Sequence, residues 1–271
     1  MGTSKPIVRG NSLYAIVDGY LSWDIAEVEA NSIGGNLAII DSSSENLFLY
    51  NSYLGSFDNL WIGVTDKGHE GLWLYSDGSI ATYLNWTAGE PNNTGIDAYY
   101  NLHSEEYVHM KLWAGGEWND LFQEQPTNPS IYNTYFGLSE SKFTRRGDSA
   151  YVIVQGPTWE EAEANAVKLG GHLVTINDAD ENEWITNTIA NSGKHSSWIG
   201  LTDKTAEGKW TWTSQETTAY TNWITNWGTG INEPNGGILE NYAGIVSGIS
   251  QHPQFSTWGG RTGAVSYTHL T

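Results

Sequence analysis

The 271-residue sequence contains no cysteine. That excludes a disulfide framework, a zinc–thiolate site and a cysteine nucleophile. It does not exclude secretion, because a domain of this size can stand on its core alone. Basic residues are scarce as well: 12 Lys and Arg stand against 31 Asp and Glu, for a formal charge of −19 at pH 7. Such a surface repels nucleic acid and anionic lipid, so neither is an expected partner. Charged residues make up only 16% of the chain, so its acidity comes from a shortage of bases. Some of the carboxylates are therefore candidates for metal ligands rather than free surface charges. No apolar run approaches the ~18 residues that suggest a membrane-spanning helix, so no membrane insertion is expected. Met1–Lys5 lacks a signal-peptide apolar segment and reads as an expression start on an excised fragment. Nucleophile-elbow, phosphate-loop and catalytic-dyad patterns are missing, which argues against an enzyme. The seven histidines are scattered, with no His-x-x-x-His pair.

What is present is aromatic and repetitive. There are 14 tryptophans, and 39% of residues are hydrophobic. Trp61, Trp73, Trp198 and Trp210 read as core, Trp113 and Trp118 as partly core. The chain repeats itself at a spacing of about 137 residues, Tyr14 to Tyr151. Trp23-Asp24-Ile25-Ala26 matches Trp159-Glu160-Glu161-Ala162, and Gly34-Gly35-Asn36-Leu37 matches Gly170-Gly171-His172-Leu173. Trp61-Ile62-Gly63 matches Trp198-Ile199-Gly200, Asn85-Trp86 matches Asn222-Trp223, and Glu90-Pro91-Asn92 matches Glu233-Pro234-Asn235. Two homologous domains are expected, 1–142 and 143–271, with the boundary after the polar stretch from Gln123 to Asn133. In each copy a short strand opens the domain. A helix follows, with Ser22 or Thr158 as N-cap and Gly34-Gly35 or Gly170-Gly171 as its end. A second helix starts near Ser42–Glu45 or Asp178–Glu183. From Trp61 or Trp198 onward the pattern is short strands and long Gly/Asn/Asp loops, an α+β arrangement. Arg146-Gly147-Asp148 spells an adhesion-type tripeptide, but it is also the second copy of the Gly10 turn that enters the first strand.

This order and these residues resemble the C-type lectin-like fold, in two tandem copies, from about residue 10 to about 258. Trp118-Asn119-Asp120 and the turn residues Glu70-Gly71 belong to the same resemblance. Ala30 and Ala166 stand where animal members of the family carry a helix cysteine, and Tyr107 and Tyr242 where another is expected. The chain is thus similar to the disulfide-free versions found in bacterial extracellular proteins, which implies an extracellular or cell-surface setting.

Calcium takes six to eight hard oxygen ligands at about 2.3–2.6 Å. Glu90 and Asn92 offer a carboxylate and an amide two residues apart, able to face one ion across a cis Glu–Pro bond. Asn119 and Asp120 add an amide, a carboxylate and a backbone carbonyl. The resemblance adds Glu105, with Glu106 as its alternative. It also implies that Glu90, Asn92, Glu105 and Asn119 hydrogen-bond a sugar whose hydroxyls complete the calcium shell. Their Glu–Asn order resembles that of lectins selecting mannose, glucose, N-acetylglucosamine or fucose; a Gln and Asp would suggest galactose. An auxiliary calcium site is implied at Asp66, Glu70, Asn93, Glu105 and Glu106, and by analogy at Asp203 and Glu207; Asn93 and Gly236 stand where an Asp would be stronger. Tyr99-Tyr100 could stack on a sugar ring. In the second copy Glu233, Asn235 and Glu240 form the corresponding set for metal, and Glu233 and Asn235 for sugar. Gly259-Gly260 follow Trp258 where Asn-Asp is needed. No closing strand is expected after that point, and Val265–Thr271 reads as foreign sequence joined to a truncated frame. The expected function is calcium-dependent carbohydrate recognition or adhesion, with a glycan or glycoconjugate as partner. The alternative is the same fold binding a protein or ice.

Overall fold

The computed structural model describes residues 4–17, 22–96, 102–122, 135–192, 196–225, 232–235, 237–246, 258–260 and 266–270. Tyr99, Tyr100, Gly236, Val265, Thr271 and the stretch from Gln123 to Asn133 lie outside them. The chain divides into two compact units, Met1–Lys142 and Phe143–Thr271.

The first unit opens with β1 (Ile7–Arg9) and β2 (Ser12–Val17), paired as a hairpin. Helix α1 (Trp23–Ser32) buries Trp23, Ala26 and Ala30 on one side, the i, i+3, i+7 stripe of a helix lying on a sheet. Ser22 is its N-cap by position, but its side chain makes no capping bond. Then come β3 (Asn36–Leu37), α2 (Ser43–Tyr53), β4 (Asn59–Thr65) and β5 (Leu74–Tyr75). A two-stranded ribbon of β6 (Gly95–Ile96) and β7 (Leu102–His103) precedes β8 (Tyr107–Lys111), β9 (Glu117–Leu121) and the closing strand β10 (Tyr135–Lys142). The main sheet runs β1-β2-β10-β4-β8-β9, with β3 joined to β10 and β5 to β4. Among the described residues, the β10–β4 pairing is the only parallel one between these strands. The core beneath is fully aliphatic and aromatic, with Leu49, Leu60, Ile62, Met110 and Trp118 entirely or almost entirely buried. Glu45 is buried too: it accepts from the Tyr14 hydroxyl and from the Asp41 N–H at 3.0 Å, tying α2 to β2.

The second unit repeats the plan. It contains β11 (Thr144–Arg146), β12 (Ser149–Val154), α3 (Trp159–Lys168), β13 (His172–Leu173), α4 (Ala179–Asn191), β14 (Ser196–Thr202), β15 (Thr211–Trp212), β16 (Tyr242–Val246), β17 (Trp258–Gly260) and β18 (Ser266–Leu270). Its sheet order is β11-β12-β18-β14-β16-β17. Thr158 and Glu161 form a reciprocal capping box at the start of α3. Arg146-Gly147-Asp148 makes the β11–β12 turn. Arg146 lies 3.7 Å from Asp178 and 3.9 Å from Glu181, so its guanidinium is turned to this chain's own carboxylates.

Three expectations need correction. A closing strand does follow Trp258: β18 pairs antiparallel with β12 and β13 and parallel with β14, as β10 does with β2, β3 and β4. A ladder is made by backbone N–H and C=O groups, so residues unlike those of β10 can take the same place. Trp113 is 69% exposed rather than partly core, because it sits on a one-turn helix outside the sheet. Trp210 is half-buried rather than core, packed on the edge of its cluster.

Candidate functional site

A buried tryptophan fixes where the Glu-Pro-Asn loop lies. Trp118 is wholly buried and donates its indole N–H to Asn46 Oδ1 at 2.8 Å. Its backbone N–H donates to Asn85 O at 2.7 Å, and its carbonyl accepts from Thr87 N at 2.9 Å. The Asn85-Trp86 pair is thereby bound alongside β9, and the chain that follows must run past Asn119 and Asp120. The Glu90 N–H donates to Thr87 O at 2.9 Å, closing a turn, and the Glu90–Pro91 bond is cis.

Asp120, fully buried, reaches back into that loop. Its carboxylate accepts from Asn92 N at 3.3 Å and Asn93 N at 3.0 Å. The Asn92 amide donates to Glu90, and Glu105 accepts from Thr94 N at 3.1 Å. Asn93 Oδ1 accepts from Glu105 N at 2.7 Å and from Ser104 Oγ at 3.1 Å, and Ser104 also donates to Glu70 at 3.3 Å. Glu106 joins through its carbonyl, which accepts from Asp66 N at 3.2 Å and from Thr65 Oγ1 at 2.7 Å. Of the two alternatives, Glu105 is the one whose carboxylate turns into the cluster. Asn119 is in register beside Asp120, but its amide donates to the Asp120 carbonyl. Ser104 escaped sequence reading; an isolated serine carries no spacing signal.

Crowded carboxylates show in the proton affinities. Burial, reinforced by nearby Asp120 and Glu90, pushes Glu105 up to about 7. Burial and the adjacent Asp120 raise Glu90. Burial first, and then Glu70 and Asp120, raises Asp66. Asp66 also shows what the site lacks. Its Oδ2 accepts from Gly71 N at 2.8 Å, while its buried Oδ1 has no hydrogen-bond partner among the described residues. A buried oxygen without a donor is costly, and a hard cation would satisfy it. Among the described residues, no group of three or more His, Asp or Glu is arranged to hold a metal by itself. An ion here would also need the amide and backbone oxygens, which are the donors calcium accepts.

The second unit builds the same frame with fewer groups. Trp258 is bracketed as Trp118 is, donating to Asn222 O at 2.8 Å and accepting from Ile224 N at 2.9 Å. The Glu233–Pro234 bond is cis. Asp203 Oδ2 accepts from the Gly208 N–H at 2.9 Å, while its Oδ1 and one oxygen each of Glu233 and Glu240 are buried without partners among the described residues. Asn235 and Glu207 are exposed. Gly259 and Gly260 pair with Gly244 and Ala243, the register positions at which Asn119 and Asp120 pair with His109 and Val108. The two glycines bring no side-chain oxygen.

Where crosslinks are absent, aromatic stacking joins helix to sheet. Tyr107 meets Trp23 at 5.3 Å between ring centroids, and Lys67 lies 5.4 Å over the Tyr107 ring and 3.1 Å from Asp24. Tyr242 stacks on Trp159 at 4.8 Å and 18°, with Lys204 at 5.6 Å over it and Glu160 at 2.9 Å from Lys204. The repeat marked these residues, but nothing in it marked them as one assembly.

The sequence profile of the Lectin C-type domain family matches residues 20–128 and 155–245. Over 89 residues the chain is 43% identical to Ladderlectin of Oncorhynchus mykiss, covering 32% of this chain and 47% of that protein. Over 219 residues it is 25% identical to human C-type mannose receptor 2, covering 75% of this chain and 14% of the receptor. The chain thus spans about half the length of the first relative and a small part of the second. Among solved structures, the carbohydrate-recognition domain of cow CD23, crystallised with a GlcNAc2Man3 oligosaccharide, matches at 25% identity. Its TM-score is 0.43, over 54% of this chain and 98% of that one.

Proposed function

The chain belongs to the C-type lectin family and carries two of its domains in tandem, and from that premise we propose that the first unit is a calcium-dependent receptor for mannose-type sugars, acting outside the cell or at its surface. Lectin domains of this family are binding modules, not catalysts. Glu90, Asn92, Glu105, Asn119 and Asp120 would hold the ion, with Asp66, Glu70, Asn93 and Glu106 around a second. The carrying observation is the convergence of Glu90, Glu105 and Asp120, with raised proton affinity at Glu90 and Glu105, on one loop pinned by Trp118. Calcium, when bound, would supply open coordination positions for paired sugar hydroxyls. Glu90, Asn92, Glu105 and Asn119 would orient those hydroxyls as acceptors and donors. The deciding experiment is retention on a mannose support with calcium, competed by free mannose or fucose. Retention that persists in EDTA would remove calcium from the reading, and retention that ignores free sugar would point instead to a protein or ice ligand.

The double substitution Glu90→Gln with Asn92→Asp keeps oxygen ligands but exchanges which side chain donates to the sugar. Mannose affinity should fall by about tenfold or more, ~1.4 kcal/mol, with a relative gain for galactose. Glycan-array binding of parent and variant reads both changes; an unaltered profile would place the sugar elsewhere.

Glu233, Asn235 and Glu240, with Asp203 and Glu207 nearby, form the weaker set in our reading, because Gly259 and Gly260 leave coordination to water. Calorimetric titration of the whole chain should resolve two affinities for calcium. Asp120→Asn should remove the tighter one; survival of the tighter phase would reverse the assignment.

A further inference from the structure

The second unit contains an open groove of about 460 Å³, floored by Trp210, Trp212 and Trp223 and edged by Gln215, Thr217 and Thr218. Its volume falls in the ~300–1,000 Å³ range of small-molecule sites. It shares no lining residue with the Glu233, Asn235 and Glu240 set. Trp210 and Trp223 are half-buried, meet at 4.8 Å and 62°, and both line the groove.

The corresponding stretch of the first unit differs in a consistent way. Where the second unit has Thr211, Thr217, Thr218 and Thr221, the first has Leu74, Ile80, Ala81 and Leu84. Where it has Gln215, the first has Gly78. That position is left-handed in both units, with φ 85° at Gly78 and 64° at Gln215. Glycine adopts it freely; glutamine does so against steric resistance. Gln215 thus carries backbone strain at the edge of the groove. The loop is also held in place. Thr218 Oγ1 donates to Asn177 O at 3.2 Å, Asn177 Nδ2 to Glu216 Oε2 at 3.3 Å, and Thr175 and Ser214 hydroxyls meet at 2.6 Å.

We propose that this groove is a second, calcium-independent site for a neutral pyranose. Aromatic faces suit the apolar C–H face of a sugar ring. The Thr217 hydroxyl and the Gln215 amide both donate and accept, as sugar hydroxyls require. Glu216 is the sole charged side chain among the described residues lining the groove, which disfavours an anionic ligand. The site does not depend on the calcium reading above.

The test uses the whole chain in EDTA, with methyl glycosides of glucose, galactose and mannose as probes in saturation-transfer NMR. At least one glycoside should bind at millimolar concentration. Gln215→Gly and Thr217→Ile, which install the first unit's residues, should each weaken it fivefold or more while the melting temperature holds or rises. Asp120→Asn should leave this binding intact. Absence of binding by all three glycosides in EDTA, or full-strength binding by both groove variants, would overturn the proposal. Binding in EDTA with no calcium-dependent component would retain this site and remove the other.

Discussion

In EDTA the first unit should melt several degrees lower than in 10 mM calcium. Extracellular calcium modules bind at about 10⁻⁴–10⁻³ M, and a ligand that binds only the native state adds RT ln(1 + [L]/Kd). At 10 mM that is roughly 1.4–2.7 kcal/mol, or about 3–10 °C for a unit of this size. Calorimetry in the two buffers measures it, and coincident transitions would remove calcium from the account. The metal-free protein should also respond to pH in a defined direction. Glu105 is raised by burial in the folded state, from its ordinary 4.5 up to about 7. The native state therefore binds its proton more tightly than the unfolded chain does. Stability from this group is present at pH 4–5 and is lost as pH rises towards 7 and above. Calcium needs the ionised carboxylate, so the ion's stabilising effect should grow over the same interval. The difference between the calcium and EDTA melting temperatures should thus be small at pH 5 and large at pH 8. A gap independent of pH would show that Glu105 takes no part.

Tyr107→Ala should be among the most damaging substitutions in the first unit. The ring is 2% exposed, packed on Trp23 and beneath Lys67. Truncating a buried aromatic costs ~3–5 kcal/mol, which corresponds to a fall in melting temperature on the order of 10 °C. Tyr107→Phe keeps the stack and should cost far less. Tyr242→Ala, at a half-buried ring, should cost less than Tyr107→Ala. Equal, small effects from both alanines would mean that the stack does not do the work of a crosslink.

The mixed fold and the tandem arrangement were legible because they are written in local signals twice over. Trp-x-x-Ala spacing, a helix end at Gly34-Gly35, and the Trp-Ile-Gly strand each specify an element without reference to distant chain. Donor chemistry marked Glu90, Asn92 and Asp120 as candidates, but only the family resemblance brought in Glu105, since these residues are joined by long loops. Local pattern could not show Ser104 bridging Glu70 and Asn93, because its role comes from where the connection between β7 and β8 passes. Nor could it show β18, whose place is set by backbone pairing. Trp113 and Trp210 were misjudged for one reason: a tryptophan's size argues for burial, but its position on a short helix or a cluster edge leaves part of it in water.

The position of Trp118 has a consequence for fidelity. Trp118 and Asp120 are two apart on β9 and project to the same side of the sheet, pairing with Met110 and Val108. A one-residue slip of β9 would send every side chain to the opposite face. It would expel the tryptophan from the core and remove its bond to Asn46. The loop from Glu90 to Asn93 alone would oppose such an error weakly, through its backbone bonds to Asp120. The core opposes it more, and its penalty falls before any ligand arrives. The proposed recognition loop is thus proofread by a residue of the core.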